Sequence, residues 1–425
     1  MICIFHPHDT LYLLWNSINV TKASLVKEKN VKDPVHGYII LNADIQQILD
    51  HPAVQRLRYV RQLGFSYLVY PGAHNTRFEH SLGAMHLAAK ASTHLSLTPE
   101  EYTLVTVSAL LHDIGHGPYS HAVEPLIEEE LGFTHTSIGH LLKKSSLQEQ
   151  VSSLGACPED VVEMIEGRHP LAEIIHGDLD VDRMDYLLRD AHHTGVTYGT
   201  VDCDRLIQSL YHGEKGLIIK ESGIHAAESL LIARTLMRPS VYFHHVSRIA
   251  EKMFQHAVWC AMQNKEITPV KLARQDDAAC MQTLLQSENG ATATLAQRLY
   301  YRNLYKRALY AQKEELYLHQ WNGQNYRDER QYARAIAEHA NVLPEQVLVD
   351  IPPLPRDIEV NVFVQKHHDV IPLEEISPLV TALNGARKSQ WRLGVYAPSE
   401  VMEKVTAAAQ EIFQVKQPTT QQRLL

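Results

Sequence analysis

An adjacent His112-Asp113 pair ends the apolar run that starts at Leu104. Gly115, Gly117 and Pro118 follow at once, and His116 and His121 lie within nine residues of the pair. Imidazole plus carboxylate at the end of a buried helix, beside a Gly-rich turn, suits a metal centre better than plain core. His80 upstream and Asp182 downstream offer the same chemistry. Together His80, His112, Asp113 and Asp182 make a mixed N/O donor set for one divalent ion. Such a set accepts Mn, Mg, Fe, Co, Ni or Zn without selecting sharply among them. A lone histidine of this kind is most often a satisfied core group, but that reading weakens for four such residues together.

Helices must position these groups. Residues 76–95 carry two apolar stripes, Phe78/Leu82/Met85 and His80/Ala84/Leu87, so a largely buried helix presents His80. Residues 99–112 form the next helix, with Pro99 at its start. A helix over 174–190 puts Val181, Met184 and Leu188 inward and Asp182, Tyr186 and Asp190 on the opposite face. That second row is either a solvated surface or a site lined for cations and hydroxyls. A long helical stretch, 224–264, carries Arg234, Arg238 and Tyr242 at i, i+4, i+8, and Pro239 should kink or restart it. Residues 53–63 read as an amphipathic helix whose Arg56, Arg58 and Arg61 face is either solvated or functional.

The remaining elements are shorter. Residues 33–41 read as a turn into a strand, 44–50 as a short helix, and 67–70 as a brief strand. Helices are expected at 122–131, 137–143 and 158–167, and a hairpin strand at 216–220. Beyond a composition change at 266–277, helices (295–309, 327–339, 399–413) mix with strands (345–351, 358–364, 391–396). This divides the chain into an N-terminal extension (1–30), a core (31–265) and a C-terminal region (266–425). The tail after Val415 reads as loose.

Composition bounds the function class. The chain has 425 residues, enough for two or three domains, with 45% hydrophobic and 21% charged residues. A net charge of −9 gives no support to nucleic-acid binding. The 26 histidines raise the prior for metal or proton-transfer chemistry. Five scattered cysteines without C-x-x-C spacing argue against a disulfide framework and fit a reducing cytoplasm. Neither a signal peptide nor a membrane span is apparent in the sequence.

The order of motifs from residue 31 to 265 resembles the HD-domain superfamily of metal-dependent phosphohydrolases. Within it, the sequence is similar to the deoxynucleoside triphosphate (dNTP) triphosphohydrolases, bacterial and vertebrate. The segments that carry the resemblance are Asp33-Pro-Val-His-Gly37, Gln55-Arg-Leu-Arg-Tyr-Val-Arg-Gln-Leu-Gly64, Tyr70-Pro-Gly-Ala73, Arg77-Phe-Glu-His-Ser-Leu-Gly83, His112 to His121, Asp180-Val-Asp-Arg-Met-Asp-Tyr186 and Arg189 to His193. The Glu-Asp pair of stringent-nucleotide hydrolases and the Gly-Tyr-Pro signature of cyclic-di-GMP phosphodiesterases are absent.

The resemblance implies a mainly α fold: an all-helical HD core with short β-hairpins, plus a smaller α+β C-terminal region. It implies one metal on His80, His112, Asp113 and Asp182, and hydrolysis of dNTPs, with dGTP preferred, to deoxynucleoside and inorganic triphosphate. His116, His121 and His135 match catalytic histidines, and Glu124 matches an acid that orients one of them. Arg77, Arg183 and Arg234 match phosphate-contacting positions, with Arg238 beside them. Tyr186, Asp190, Tyr242, Gln62 and Leu63 match the sugar pocket. Lys29, Asp50, Gln55 and Arg58 match positions that bind an activating guanine nucleotide or dNTP between subunits of a homo-oligomer, a tetramer or dimer. Arg183 and Arg238 depart from the vertebrate pattern, which has Lys and His there; both keep a cation with different reach. Two other readings stand beside this one: an HD phosphatase acting on nucleoside monophosphates or other phosphate esters, and a nucleotide-sensing or nucleic-acid-binding module without turnover.

Overall fold

The structure is a computed structural model that describes residues 28–143, 145–213, 216–317, 325–354, 362–367 and 369–416. Most of the expected N-terminal extension, part of the 358–364 strand and most of the loose tail fall outside these residues. The protein is mainly α, with small sheets. The first described element is a hairpin of β1 (Lys29–Asp33) and β2 (Gly37–Leu41), closed at Gly37.

Helix α1 (Arg77–His94) and helix α2 (Pro99–Leu111) form the centre. Each opens with a reciprocal capping box, Thr76 with Glu79 and Thr98 with Glu101. Each box satisfies two N–H groups that a helix start leaves without partners. Both helices are buried along most of their length, as the doubled apolar stripes require. Helix α3 (Val181–Thr194) packs across α1 and ends at Gly195 in the left-handed region. Helix α4 (Ile224–Met237) runs into a π-turn at Arg238–Tyr242, and α5 (His245–Gln263) restarts beyond it. Pro239 lacks the N–H a continuing helix needs, so the break falls where the proline stands.

Among the described residues, three apolar cores support this frame. The first unites α1–α4 with the hairpin. In the second, Phe65, Tyr119 and Val123 pack on α5 and on α6 (Gly290–Tyr300). It joins Phe254 and Val258 to Leu272, Cys280 and Leu295, across the composition change near 266. The third lies between an antiparallel sheet and two helices, α7 (Tyr326–Ala340) and α8 (Met402–Ile412). The strands of that sheet are β5 (Lys306–Ala311), β6 (Leu348–Asp350) and β9 (Leu393–Ala397), in the order β5-β9-β6. A further four-stranded sheet runs β3 (Leu210–Gly213), β4 (Gly216–Lys220), β7 (Phe363–Lys366), β8 (Asp369–Pro372).

Three local expectations are corrected. Residues 53–63 are not one helix: Pro52–Gln55 is α-helical, Arg56–Tyr59 is a 3₁₀ turn, and Val60 is extended. The side chain of Arg56 donates to the carbonyls of Ile114, His116 and Gln275, and Arg61 bridges to Thr76, so tertiary partners override the helical pattern. Residues 67–70 are not a strand; Ser66–Leu68 is a 3₁₀ turn, and the Tyr70 hydroxyl donates to the Ser240 carbonyl at 2.5 Å. Residues 295–309 divide into the end of α6 and strand β5, because Lys306–Ala311 pairs with β9.

Candidate active site

His80 lies on α1 and is 1% exposed. Its Nδ1 sits 2.7 Å from Asp185 Oδ2, so the ring donates there and turns its Nε2 lone pair inward. His112 caps α2, and its Nδ1 donates to the Ala109 carbonyl at 2.8 Å. Its Nε2 lone pair therefore also points inward. The two Nε2 atoms are 3.2 Å apart, and Asp182 Oδ1 is 2.9 Å and 3.6 Å from them. Two lone pairs facing each other beside a carboxylate repel unless a cation lies among them. Donors about 2.1 Å from a shared ion are separated by roughly 3.0–3.4 Å, which fits this trio. Burial opposes protonation of His80, yet Asp182, Asp185 and Asp113 outweigh it and raise the imidazole to about 10. A pocket that holds a proton so tightly has the charge to hold a divalent metal. His80, His112 and Asp182 converge as expected. Asp113 stands beside them, 3.4 Å from His112 Nε2, while its Oδ2 accepts from Arg77 at 2.7 Å.

The loop after the metal corner carries the other imidazoles. Gly115 approaches the His135 carbonyl so closely that a Cβ would lie 2.0 Å from it. Tyr119 and Ser120 adopt φ of 53° and 55°, a strained region for side-chain-bearing residues. The Tyr119 N–H donates to Asp277 Oδ1 at 2.7 Å, and Ser120 Oγ accepts from Arg77 at 2.6 Å. These bonds hold the turn that aims His116 and His121 into the cavity. His116 stacks on His135 with centroids 4.0 Å apart, and its Nε2 lies 3.3 Å from Asp113. Burial, with Arg77 and His135 nearby, pushes His116 well below the usual imidazole range, so it is neutral. Glu124 opens the helix Glu124–Leu131 and accepts from both His121 (2.8 Å) and His135. Burial works to raise its carboxyl, but the two histidines outweigh that and hold it below its ordinary range.

One cavity of about 220 Å³ joins these parts. Gln62, Arg77, Arg183, Tyr186 and Arg234 line it together with the metal corner and the three histidines. Arg183 pairs with Asp180, and Arg234 lies 3.5 Å from Asp178. Asp190 sits behind Tyr186, accepting from Asn75 at 2.8 Å and from the Tyr242 hydroxyl at 3.1 Å. Burial raises its carboxyl to about 6. Leu63 is in the core, 8% exposed. Arg238 does not line this cavity; it stacks on Phe243 and borders a separate one, because the π-turn rotates it away. Among the residues matched to an effector site, Arg58 donates to Gln55 at 2.8 Å and stacks on Phe78, while Lys29 and Asp50 are exposed.

A charged network behind His80 escaped the sequence reading. Asp185 accepts from His36, His80 and twice from Arg189, and Arg189 also donates to Asp33 at 2.8 Å. Asp185 and Arg189 are fully buried. Their i, i+4 spacing reads equally well as a surface pair, although Asp33, His36, Asp185 and Arg189 all fall within the segments that carry the family resemblance. His176 also lines the cavity without having been singled out.

Residues 77–190 match the HD domain, and residues 201–424 match the HD associated region. An uncharacterized protein of Methanocaldococcus jannaschii is 36% identical over 382 residues, covering 89% of this chain and 81% of that protein. A deoxynucleoside triphosphate triphosphohydrolase, SAMHD1 of Bos taurus, is 30% identical over 287 residues. That match takes in 56% of this chain and 49% of the bovine protein, so the chain spans about half of that relative. The crystal structure of a hypothetical protein from Aquifex aeolicus superposes with a TM-score of 0.72 at 29% identity, covering 90% of this chain and 99% of that one. A phosphohydrolase from Bacteroides thetaiotaomicron gives 0.69 at 26%, covering 88% and 100%. The chain belongs to the HD-domain phosphohydrolase family, with an HD domain followed by an HD-associated region.

Proposed function

We propose that this protein hydrolyses deoxynucleoside triphosphates to deoxynucleoside and inorganic triphosphate with one divalent metal on His80, His112, Asp113 and Asp182. The observation that carries this reading is the single cavity in which the metal corner meets Arg77, Arg183, Arg234 and three imidazoles. When bound, the metal would polarise the phosphate and lower the pKa of water. Arg183 and Arg234 would hold the phosphate oxygens, whose charge grows toward the transition state. Arg77 orients Asp113 from behind. Water adds to the α-phosphorus, the bond to the 5′-oxygen breaks, and an imidazole of the His121–Glu124–His135 group delivers the proton to that oxygen. Tyr186, with Tyr242 and Asp190 behind it, would close the sugar side and leave little room for a 2′-hydroxyl. The similarity to a deoxynucleoside triphosphate triphosphohydrolase supports the substrate class.

The test is product analysis with each dNTP, singly and in pairs, with Mn or Mg. Deoxynucleoside and triphosphate are expected, and H112A/D113A should abolish both at unchanged helicity. Release of orthophosphate alone, from monophosphates, would replace this reading with the phosphatase one. Faster turnover with paired dNTPs, lost in D50A/R58A, would support an effector site at Lys29, Asp50, Gln55 and Arg58. Sedimentation would show whether the effector drives a homo-oligomer.

A further inference from the structure

The cavity that Arg238 borders holds about 220 Å³ between the π-turn after α4 and the C-terminal sheet. Its charge is opposite to that of the chain as a whole, which is −9. Arg238, Arg248 and Arg392 line it, against one carboxylate, Asp350. Asp350 is already committed: it takes a forked pair of bonds from Arg248 at 2.6 and 3.1 Å and another from the Tyr396 hydroxyl at 3.1 Å. Arg248 spends its remaining fork on Glu251 at 2.7 Å.

The other two arginines are differently placed. Arg238 lies over the Phe243 ring, its Cζ 4.0 Å from the centroid, and among the described residues its guanidinium N–H groups make no hydrogen bond. The charged groups acting on it are Arg387, Arg234 and Arg248, all cations; burial first, and then these neighbours, lower it to about 10. Among the described residues, Arg392 donates to the main-chain carbonyls of Ser389 (2.6 Å) and Trp391 (2.8 Å). At the rim, Arg307 stacks on Tyr310, which also lines the cavity. Gln390, on the same wall, has a buried side-chain oxygen without a partner among the described residues. Like charges gathered in a partly desolvated cleft repel one another, and an anion relieves that repulsion.

We propose that this cavity is a second anion-binding site, separate from the hydrolytic cavity, that takes a compact phosphate-bearing anion through Arg238 and Arg392. Two planar forks facing one small space fit tetrahedral phosphate oxygens, and the volume suits one or two phosphate groups rather than a nucleic acid. Gln390, rotated about its last bond, would add an N–H donor. Arg234, near the end of helix α4, thus enters the first cavity, and Arg238, at the start of the π-turn four residues on, borders the second.

Calorimetric titration of the metal-loaded full chain with inorganic pyrophosphate tests this. Two independent sites are expected in the wild type. R238Q/R392Q should weaken one at least tenfold and leave the other, whereas R183Q should weaken the other alone. R238K/R392K should retain part of the affected site, which separates loss of the forks from loss of the fold. The proposal is overturned by a single wild-type site, or by R238Q/R392Q binding within threefold of wild type at both. It is also overturned if the Lys variant, folded by its melting curve, binds no better than an unfolded control.

Discussion

Asp185 reaches His80 from behind the metal corner, Oδ2 to Nδ1 at 2.7 Å, while both its oxygens are also held by Arg189 or His36. The carboxylate therefore sets the tautomer of a proposed metal ligand without touching the metal itself. Hydrogen bonds and the Arg189 charge keep Asp185 well below the usual carboxylate range despite the opposing effect of burial. D185N keeps the shape but removes the charge. Loss of such an outer partner typically weakens metal binding 10- to 100-fold. It also leaves Arg189 paired with Asp33 alone and weakens the charge-assisted hydrogen bonds that Asp185 accepts, a loss of about 2 kcal/mol. Chelator competition should report the first effect and denaturant melting the second; a metal affinity within twofold of wild type would remove Asp185 from this positioning role.

Gly83 is where α1 passes this network. A Cβ there would meet Asp185 Oδ1 at 1.8 Å and Arg189 Nη2 at 2.4 Å. Mid-helix Gly-to-Ala changes usually stabilise by up to about 1 kcal/mol. G83A should do the reverse and destabilise by about 1–3 kcal/mol, because two buried charged side chains must move apart. The urea midpoint decides the sign.

Glu124 grips His121 and His135 at once. E124Q keeps one acceptor and loses the charge that orients a ring for proton delivery. The rate at saturating substrate should fall about 100-fold, with KM changed less than threefold. An equal rise in KM would instead assign Glu124 to substrate binding.

Asp190 supplies a pH prediction. Its carboxyl is raised from 3.8 to about 6, so the fold favours the protonated form. The native state binds more protons than the unfolded chain between these values. The stability tied to this group is then fully present below about 3.8 and is lost as pH rises through about 6. The loss is at most about 3 kcal/mol. D190N removes the titration while keeping an acceptor for Tyr242. Its melting temperature relative to wild type should rise between pH 4.5 and 7.5, while hydrolysis falls. A difference that does not change with pH would place the penalty elsewhere.

His80, His112, Asp113 and Asp182 stand out in the sequence as candidate metal ligands because buried helices leave imidazole and carboxylate few other uses, and because the helix-breaking glycines mark the corner. The start of α2 at Pro99 and the break at Pro239 are legible for the same kind of reason: each is set by neighbours a few residues apart. Asp185 and Arg189 are not, since an i, i+4 ion pair looks the same on a surface as in a core, and only Asp33, His36 and His80 folding around it decide the matter. Residues 53–63 illustrate the same limit: a helical pattern yields once Arg56 finds three carbonyls far along the chain. Arg234 and Arg238 share one face by spacing, yet the π-turn sends them to different cavities. Local chemistry is written in residue type and period, whereas burial, partner choice and the destination of a side chain depend on segments that meet only when the chain has folded.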